Sequence, residues 1–258
     1  MMIKHLGSGI VLIEDLLTQK ELSSIDLNLI EQQCPRQGFR NIGEKTFLEG
    51  GYEVDLEKDF SHLPTRFIQN IESLPFFKTI DDAMYQGAVQ YCKLFPVAAE
   101  SITNCVGKHF IKYLPGGHMG PHSDSSLAYK DGTLEPVSVI ALGNTITSSI
   151  ILNDDFDGGS ILFNTCGFEV KPKPGSALYY PSNYIGAHQV NTVTSGVRWA
   201  FLAFYSHGDR TFVSDSTQEQ YPERYEWTMN FRQDIRNGFD YDHSNLNLLQ
   251  KKVEIYEQ

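Results

Sequence analysis

His122 and Asp124 stand two residues apart. On an extended strand, residues two apart point to the same face, so the imidazole and the carboxylate can converge on one point. One nitrogen and one oxygen donor make two-thirds of a 2-His-1-carboxylate triad, a set that leaves coordination positions open on a metal such as Fe(II). The pair is not unique, because His207 and Asp209 repeat it. The residues downstream separate the two. His122 and Asp124 are followed by His188, and Arg198 comes ten residues later. A guanidinium is planar, permanently charged and able to grip a carboxylate with two hydrogen bonds. After His207 and Asp209 only His243 follows, and Val253 stands where an arginine would be wanted. The segment from His188 to Arg198 reads as strand, glycine-containing turn and strand. That predicts a hairpin with the two side chains on neighbouring strands.

Such side chains need a rigid frame. After residue 105 the hydrophobic pattern alternates, and eight runs read as strands: 108–114, 137–142, 145–152, 160–163, 168–171, 176–180, 186–191 and 197–205. The acidic residues Asp154, Asp155 and Asp157 before Gly158-Gly159 read as a hairpin turn, since the full spacing of a calcium loop is missing. Upstream the pattern is mostly helical. Residues 8–14 form a short buried strand. Thr18-x-x-Glu21 is a capping box that opens a helix with Leu22, Ile25 and Leu29 on one face. Pro35 ends it. Residues 36–60 read as a surface connection with a strand around Thr46 to Leu48; covering the site mouth is the other reading. Phe67, Ile71 and Leu74 predict a helix over 64–74. Thr79-x-x-Asp82 predicts the cap of a longer helix running to Phe95, with Ala83, Gly87, Tyr91 and Leu94 packed on a sheet. Helices followed by many short strands predict an α+β fold, a jelly roll buttressed by N-terminal helices. The chain reads as a single domain over 1–258, with helical support over about 1–105, a core over about 106–210 and an extension over about 211–258. The extension either carries a helix packed on the outside or mediates self-association.

A further series of residues keeps order and spacing around the triad. It comprises Tyr113, the His122-x-Asp124 pair, Leu152-Asn153-Asp154-Asp155-Phe156-x-Gly158-Gly159, Pro174-Gly175-Ser176-Ala177, Pro181-Ser182-Asn183-Tyr184 leading into His188, and Gly196-Val197-Arg198. In these residues the stretch from Lys108 to Tyr205 resembles the prolyl 4-hydroxylase-like branch of the Fe(II)/2-oxoglutarate-dependent dioxygenases. The resemblance implies a double-stranded β-helix of the jelly-roll, cupin-like kind. It implies Fe(II) on His122, Asp124 and His188, and 2-oxoglutarate chelated through its 1-carboxylate and 2-keto oxygens. Arg198 then takes the far carboxylate, where this branch often has lysine. Tyr113 stands where the family places a cosubstrate-lining tyrosine; a plain core tyrosine is the alternative. Thr147 and Ser149 share a strand face from which both reach the cosubstrate. Ile151 stands where some members carry a contacting tyrosine. Ascorbate is implied as an additional reductant. His118 reads as a rim residue in a glycine-rich loop, and Tyr179, Tyr180 and Tyr184 surround the approach to His188.

The activity implied is hydroxylation of an unactivated C–H bond coupled to conversion of 2-oxoglutarate to succinate and CO2. The presence of Asp124 favours hydroxylation over halogenation. A prolyl residue in a peptide or protein leads as substrate. Free proline, another amino acid or a small metabolite is the rival. Two readings of other classes compete: a zinc hydrolase on the same ligands, and a non-catalytic jelly-roll binding module. The hydrolase lacks an obvious general base and leaves Arg198 unexplained; the binding module does not need all four residues.

The formal net charge of -11 argues against nucleic-acid or anionic-membrane partners, which need a basic surface. The four cysteines Cys34, Cys92, Cys105 and Cys166 form no Cys-x-x-Cys and read as reduced thiols of a cytoplasmic protein. The expectation is no signal peptide and no membrane span. The oligomeric state is left open.

Overall fold

Period-two alternation dominates beyond residue 104, and the chain there forms antiparallel strands whose odd and even residues feed two different cores. The computed structural model describes residues 1–33, 36–38, 64–125, 127–130, 133–136, 143–207 and 222–237. A large sheet runs in the order β1 (Met2–Gly7), β2 (Ile10–Glu14), β13 (Ala177–Pro181), β9 (Asn144–Ile151), β16 (Arg198–Ser206), β5 (Asn104–Tyr113), β4 (Thr65–Ile68) and β3 (Arg36–Gly38). A small sheet has the order β12 (Phe168–Val170), β11 (Ile161–Phe163), β14 (His188–Val190) and β6 (Met119–His122). Two ribbons complete the strands: β10 (Phe156–Gly158) with β15 (Val193–Gly196), and β7 (Leu127–Lys130) with β8 (Thr133–Pro136). This is an α+β fold with a double-stranded β-helix core.

The outer face of the large sheet packs on helices. Helix α1 (Gln19–Ser23) opens with the expected capping box of Thr18 and Glu21. It is followed by α2 (Leu27–Gln33), α3 (Phe77–Leu94), α4 (Pro96–Glu100) and α5 (Pro222–Arg236). Ile80, Met84, Ala88 and Cys92 of α3 join one core with Ile150, Tyr179, Phe201 and Tyr205 of the sheet. Each fully buried aliphatic or aromatic side chain contributes ~2 kcal/mol. Gly87 permits the close approach, since a Cβ there would lie 2.1 Å from the Tyr179 hydroxyl. Helix α5 covers α3 through Trp227 and Phe231 around Tyr85, so the described part of the extension is a docked helix. The inner face closes on the small sheet. Ile111, Tyr113, Leu178 and Tyr180 meet Met119, Ile161, Phe163 and Val190.

Several expectations need correction. Residues 65–68 form strand β4, not helix. Pairing with the edge of β5 outweighs the helical spacing of Phe67, Ile71 and Leu74, and Thr65 and Phe67 supply period-two burial. Helix α3 starts earlier than expected, at Phe77, with no side-chain cap, and Leu94 is exposed. Strand β1 escaped the pattern because its residues are mostly solvent-facing. Asp154 to Asp157 do not close a hairpin: β9 lies in the large sheet, whereas β10 pairs with β15. The expected strands at 46–48 and 137–142, and Asp209, His243 and Val253, lie outside the described residues. Among the described residues no helix is long and apolar enough to cross a membrane.

Candidate active site

Strand β6 ends on His122 and β14 begins on His188. The two strands pair antiparallel with these residues opposite each other. Their imidazole centroids are therefore only 4.4 Å apart. Asp124 lies just beyond β6, with its Oδ1 3.3 Å from His122 Nε2. One ligand atom from each of His122, Asp124 and His188 lies within 4.8 Å of the others. Behind them, His122 Nδ1 is 2.8 Å from the Gly120 carbonyl and His188 Nδ1 is 3.0 Å from the Gly186 carbonyl. A carbonyl only accepts, so each Nδ1 carries a proton. His188 Nε2 then presents its lone pair, whereas His122 Nε2 faces the Asp124 carboxylate and gives up its proton when a metal takes that place. Backbone acceptors commonly fix metal-binding histidines in this way. The two nitrogens and one oxygen fit a non-haem Fe(II) centre.

Asp124 is tethered to the large sheet. Thr147 Oγ1 donates to its Oδ2 at 2.7 Å and shares a 2.9 Å hydrogen bond with Ser182 Oγ. Asn144 Nδ2 donates to the Asp124 carbonyl at 3.1 Å. Burial pushes the Asp124 carboxyl up. The imidazoles of His188 and His122, with hydrogen bonds from His122 and Thr147, outweigh burial and bring it down to about 2. Burial, reinforced by His122, pushes His188 down to about 4 against the attraction of Asp124. For His122 burial acts downward, but Asp124 prevails and the imidazole is raised above its ordinary value. At neutral pH Asp124 is an anion and His188 is neutral, the forms that bind a metal.

Arg198 does not share a hairpin with His188. It begins β16 in the large sheet, whereas His188 lies in the small one, and the charge of Arg198 acts on the His188 imidazole across the two. The β15 segment between them pairs with β10, which defeats the direct hairpin. Arg198 is 2% exposed, and its Nε has no hydrogen-bond partner among the described residues. Its guanidinium lies 5.0 Å from the ring centroid of Tyr113, its partner in register on β5. Burial lowers its pKa, and the other groups acting on it are the phenols of Tyr113 and Tyr180, not a carboxylate. Burial likewise pushes Tyr113 up to about 12. Gly159 makes room for the arginine stem: a Cβ there would lie 2.8 Å from Arg198 Cδ. A buried cation without an acid is costly to keep. It suits a site completed by an anion from outside.

Thr147 is engaged with Asp124 and Ser182. Ser149 is buried on the same inner face, between Leu178 and Leu202 in register. His118 lies outside the ligand cluster, with Nδ1 3.1 Å from the Gly116 carbonyl. Tyr184 is exposed, and Tyr179 faces α3. Tyr180 lies beside His188 as expected, with its hydroxyl 3.3 Å from His188 Nε2. Strand alternation held the signal: of Tyr179 and Tyr180, only one can face inward.

Comparison with known proteins agrees with this geometry. Residues 108–206 match the family model described as the 2OG-Fe(II) oxygenase superfamily. A PKHD-type hydroxylase of Hyphomonas neptunium is 35% identical over 95 residues, covering 35% of this chain and 39% of the relative. Another from Pseudomonas putida is 33% identical over 112 residues, covering 42% of each. The chain thus spans about two-fifths of these curated relatives. Among solved structures, a prolyl hydroxylase from Trichoplax adhaerens, in complex with a hypoxia inducible factor peptide fragment, has a TM-score of 0.53 at 13% identity. That alignment covers 81% of this chain and 88% of the other. A prolyl-4-hydroxylase from Pseudomonas putida has a TM-score of 0.50 at 15% identity, covering 78% and 94%. Residues 108–206 are thus similar to the 2OG-Fe(II) oxygenase superfamily, and the fold is shared with these two prolyl hydroxylases.

Proposed function

We propose that this chain is a non-haem Fe(II)- and 2-oxoglutarate-dependent dioxygenase that hydroxylates an unactivated C–H bond of a prolyl residue in a peptide or protein. One observation carries the reading: the His122, Asp124 and His188 cluster and a buried arginine with no acid beside it among the described residues share one interior. His122, Asp124 and His188 hold the metal. Arg198 binds the far carboxylate of the cosubstrate, over the Tyr113 ring. Thr147 orients Asp124, and Ser149, one pleat along, faces the cosubstrate. When bound, Fe(II) and 2-oxoglutarate supply the oxidation, with succinate and CO2 as co-products. The protein contributes orientation, burial and a fixed protonation state for each ligand. The whole chain is read as a single domain arranged around this interior.

The relatives' names support a hydroxylase, and the prolyl substrate is supported by the names of the structural neighbours. A zinc hydrolase would leave Arg198 without a role, and its carboxylate nearest the metal, Asp124, is itself a ligand. The test is anaerobic addition of Fe(II) and 2-oxoglutarate. A weak visible charge-transfer band is expected, and its absence overturns the reading. Succinate release measured with prolyl peptides, free proline and other amino acids then separates the substrate classes. Turnover with free amino acids alone rejects the peptide assignment.

A further inference from the structure

Tyr180 competes with the metal for one lone pair. It is 1% exposed on the inner face of β13, with its ring edge-on to His188 at 4.9 Å and to Phe163 at 5.2 Å. Phe163 and His188 fix the ring, so the hydroxyl has little freedom to leave. Because His188 Nδ1 already donates to Gly186, its Nε2 can only accept, and the Tyr180 O–H donates to it over 3.3 Å. A metal on His188 takes the same lone pair. The phenol is then a buried donor that has lost this acceptor, which is unfavourable unless another replaces it.

The surrounding groups narrow the replacement. Arg198 has only donors. Asp124 acts on Tyr180 through its charge and as a side-chain hydrogen-bond partner, but its Oδ2 also takes the Thr147 hydroxyl and its Oδ1 faces His122, and a metal on the triad would draw on the same carboxylate. An atom within hydrogen-bond distance of a ligand nitrogen is also within reach of a neighbouring coordination position. We infer that Tyr180 is a cosubstrate-binding residue: its hydroxyl caps His188 in the metal-free protein and turns to the chelating end of the 2-oxo acid when metal is bound. This rests on the dioxygenase reading above. It adds a division of labour, in which Tyr180 serves the 2-oxo-carboxylate end and Arg198 the far end.

Two ligands test the division: 2-oxoglutarate, and pyruvate, which keeps the chelating end and lacks the far carboxylate. Both are titrated anaerobically against Fe(II)-loaded protein by the charge-transfer band, and Co(II) affinity is measured separately. Tyr180→Phe is expected to weaken both acids by a similar factor, about tenfold. It should also shift the band and leave Co(II) binding unchanged or a few-fold tighter. Arg198→Ala should weaken 2-oxoglutarate alone. Tyr180→Met, which also lacks a donor, must repeat the Tyr180→Phe pattern, so a packing defect in one variant does not decide the matter. Equal affinities in wild type and Tyr180→Phe overturn the inference, meaning that the hydroxyl turns to Asp124 or Tyr113 instead. Loss confined to 2-oxoglutarate overturns it too, by placing Tyr180 at the far end. If the wild-type protein itself binds neither metal nor 2-oxo acid, the dioxygenase reading falls first.

Discussion

Tyr179 and Tyr180 are adjacent on one strand and live in opposite environments. Tyr179 faces α3 and donates to the Met84 carbonyl at 2.7 Å; Tyr205, two strands away on the same face, donates to that carbonyl at 2.8 Å. Tyr180 faces inward, against His188, with a long and weaker hydrogen bond. The same alternation separates Trp199, packed among the outer core, from Arg198 within. Among the described residues the inner face also holds His109, buried with Nε2 lacking a partner, its ring stacked on Phe67. The outer face is built for stability, with apolar packing and paired hydroxyls. The inner face keeps polar atoms incompletely paired at some cost to the fold, as expected where binding completes the pairing.

The sharpest break in this contrast should come from the ligands. His188→Ala is expected to reduce metal affinity by more than about a hundredfold while the fold persists, read by Co(II) titration and circular dichroism. Arg198→Met should lower 2-oxoglutarate affinity by about a hundredfold, in keeping with losing a charge-assisted pair. The metal-free variant should be as stable as wild type or more so, because a buried cation without an acid has gone. Marked destabilisation in a denaturant titration would show that the arginine already has a structural partner.

Acid separates the faces more gently. His188 titrates at about 4 in the fold and near 6.5 when unfolded, so the unfolded chain binds the extra proton between these values. Metal-free protein should therefore lose on the order of 2–3 kcal/mol as pH falls from 6.5 to 4. Asp124, held at about 2, adds stability above the ordinary carboxyl value that is lost only as pH falls further towards 2. His188→Gln should flatten the upper window and leave the lower one; an unchanged slope above pH 4 refutes the assignment. The smallest effect belongs outside: Tyr179→Phe should cost about 1 kcal/mol of stability with turnover retained.

The triad was legible because its members announce themselves by residue type and order. His122 and Asp124 share a face by strand period alone. Arg198 was legible as a residue but not in its placement, since periodicity gives the face of a strand and not its neighbour in the sheet. The supposed hairpin failed for that reason, and so did the turn at Asp154 to Asp157. Residues 65–68 were misread because Phe67, Ile71 and Leu74 match a helix whether or not an open sheet edge is waiting for them. Tyr180 was expected near His188 but without a role, because one tyrosine among several carries no chemical mark until its neighbours are known.

The division of the site between two sheets has a mechanical consequence. His122 and His188 belong to the small sheet, and Arg198 and Tyr113 to the large one. On the proposed function, a dicarboxylate gripped at one end by the metal and at the other by the guanidinium would act as a cross-brace through the sandwich. Each ligand alone would tighten one wall, whereas the two together bolt the walls to each other.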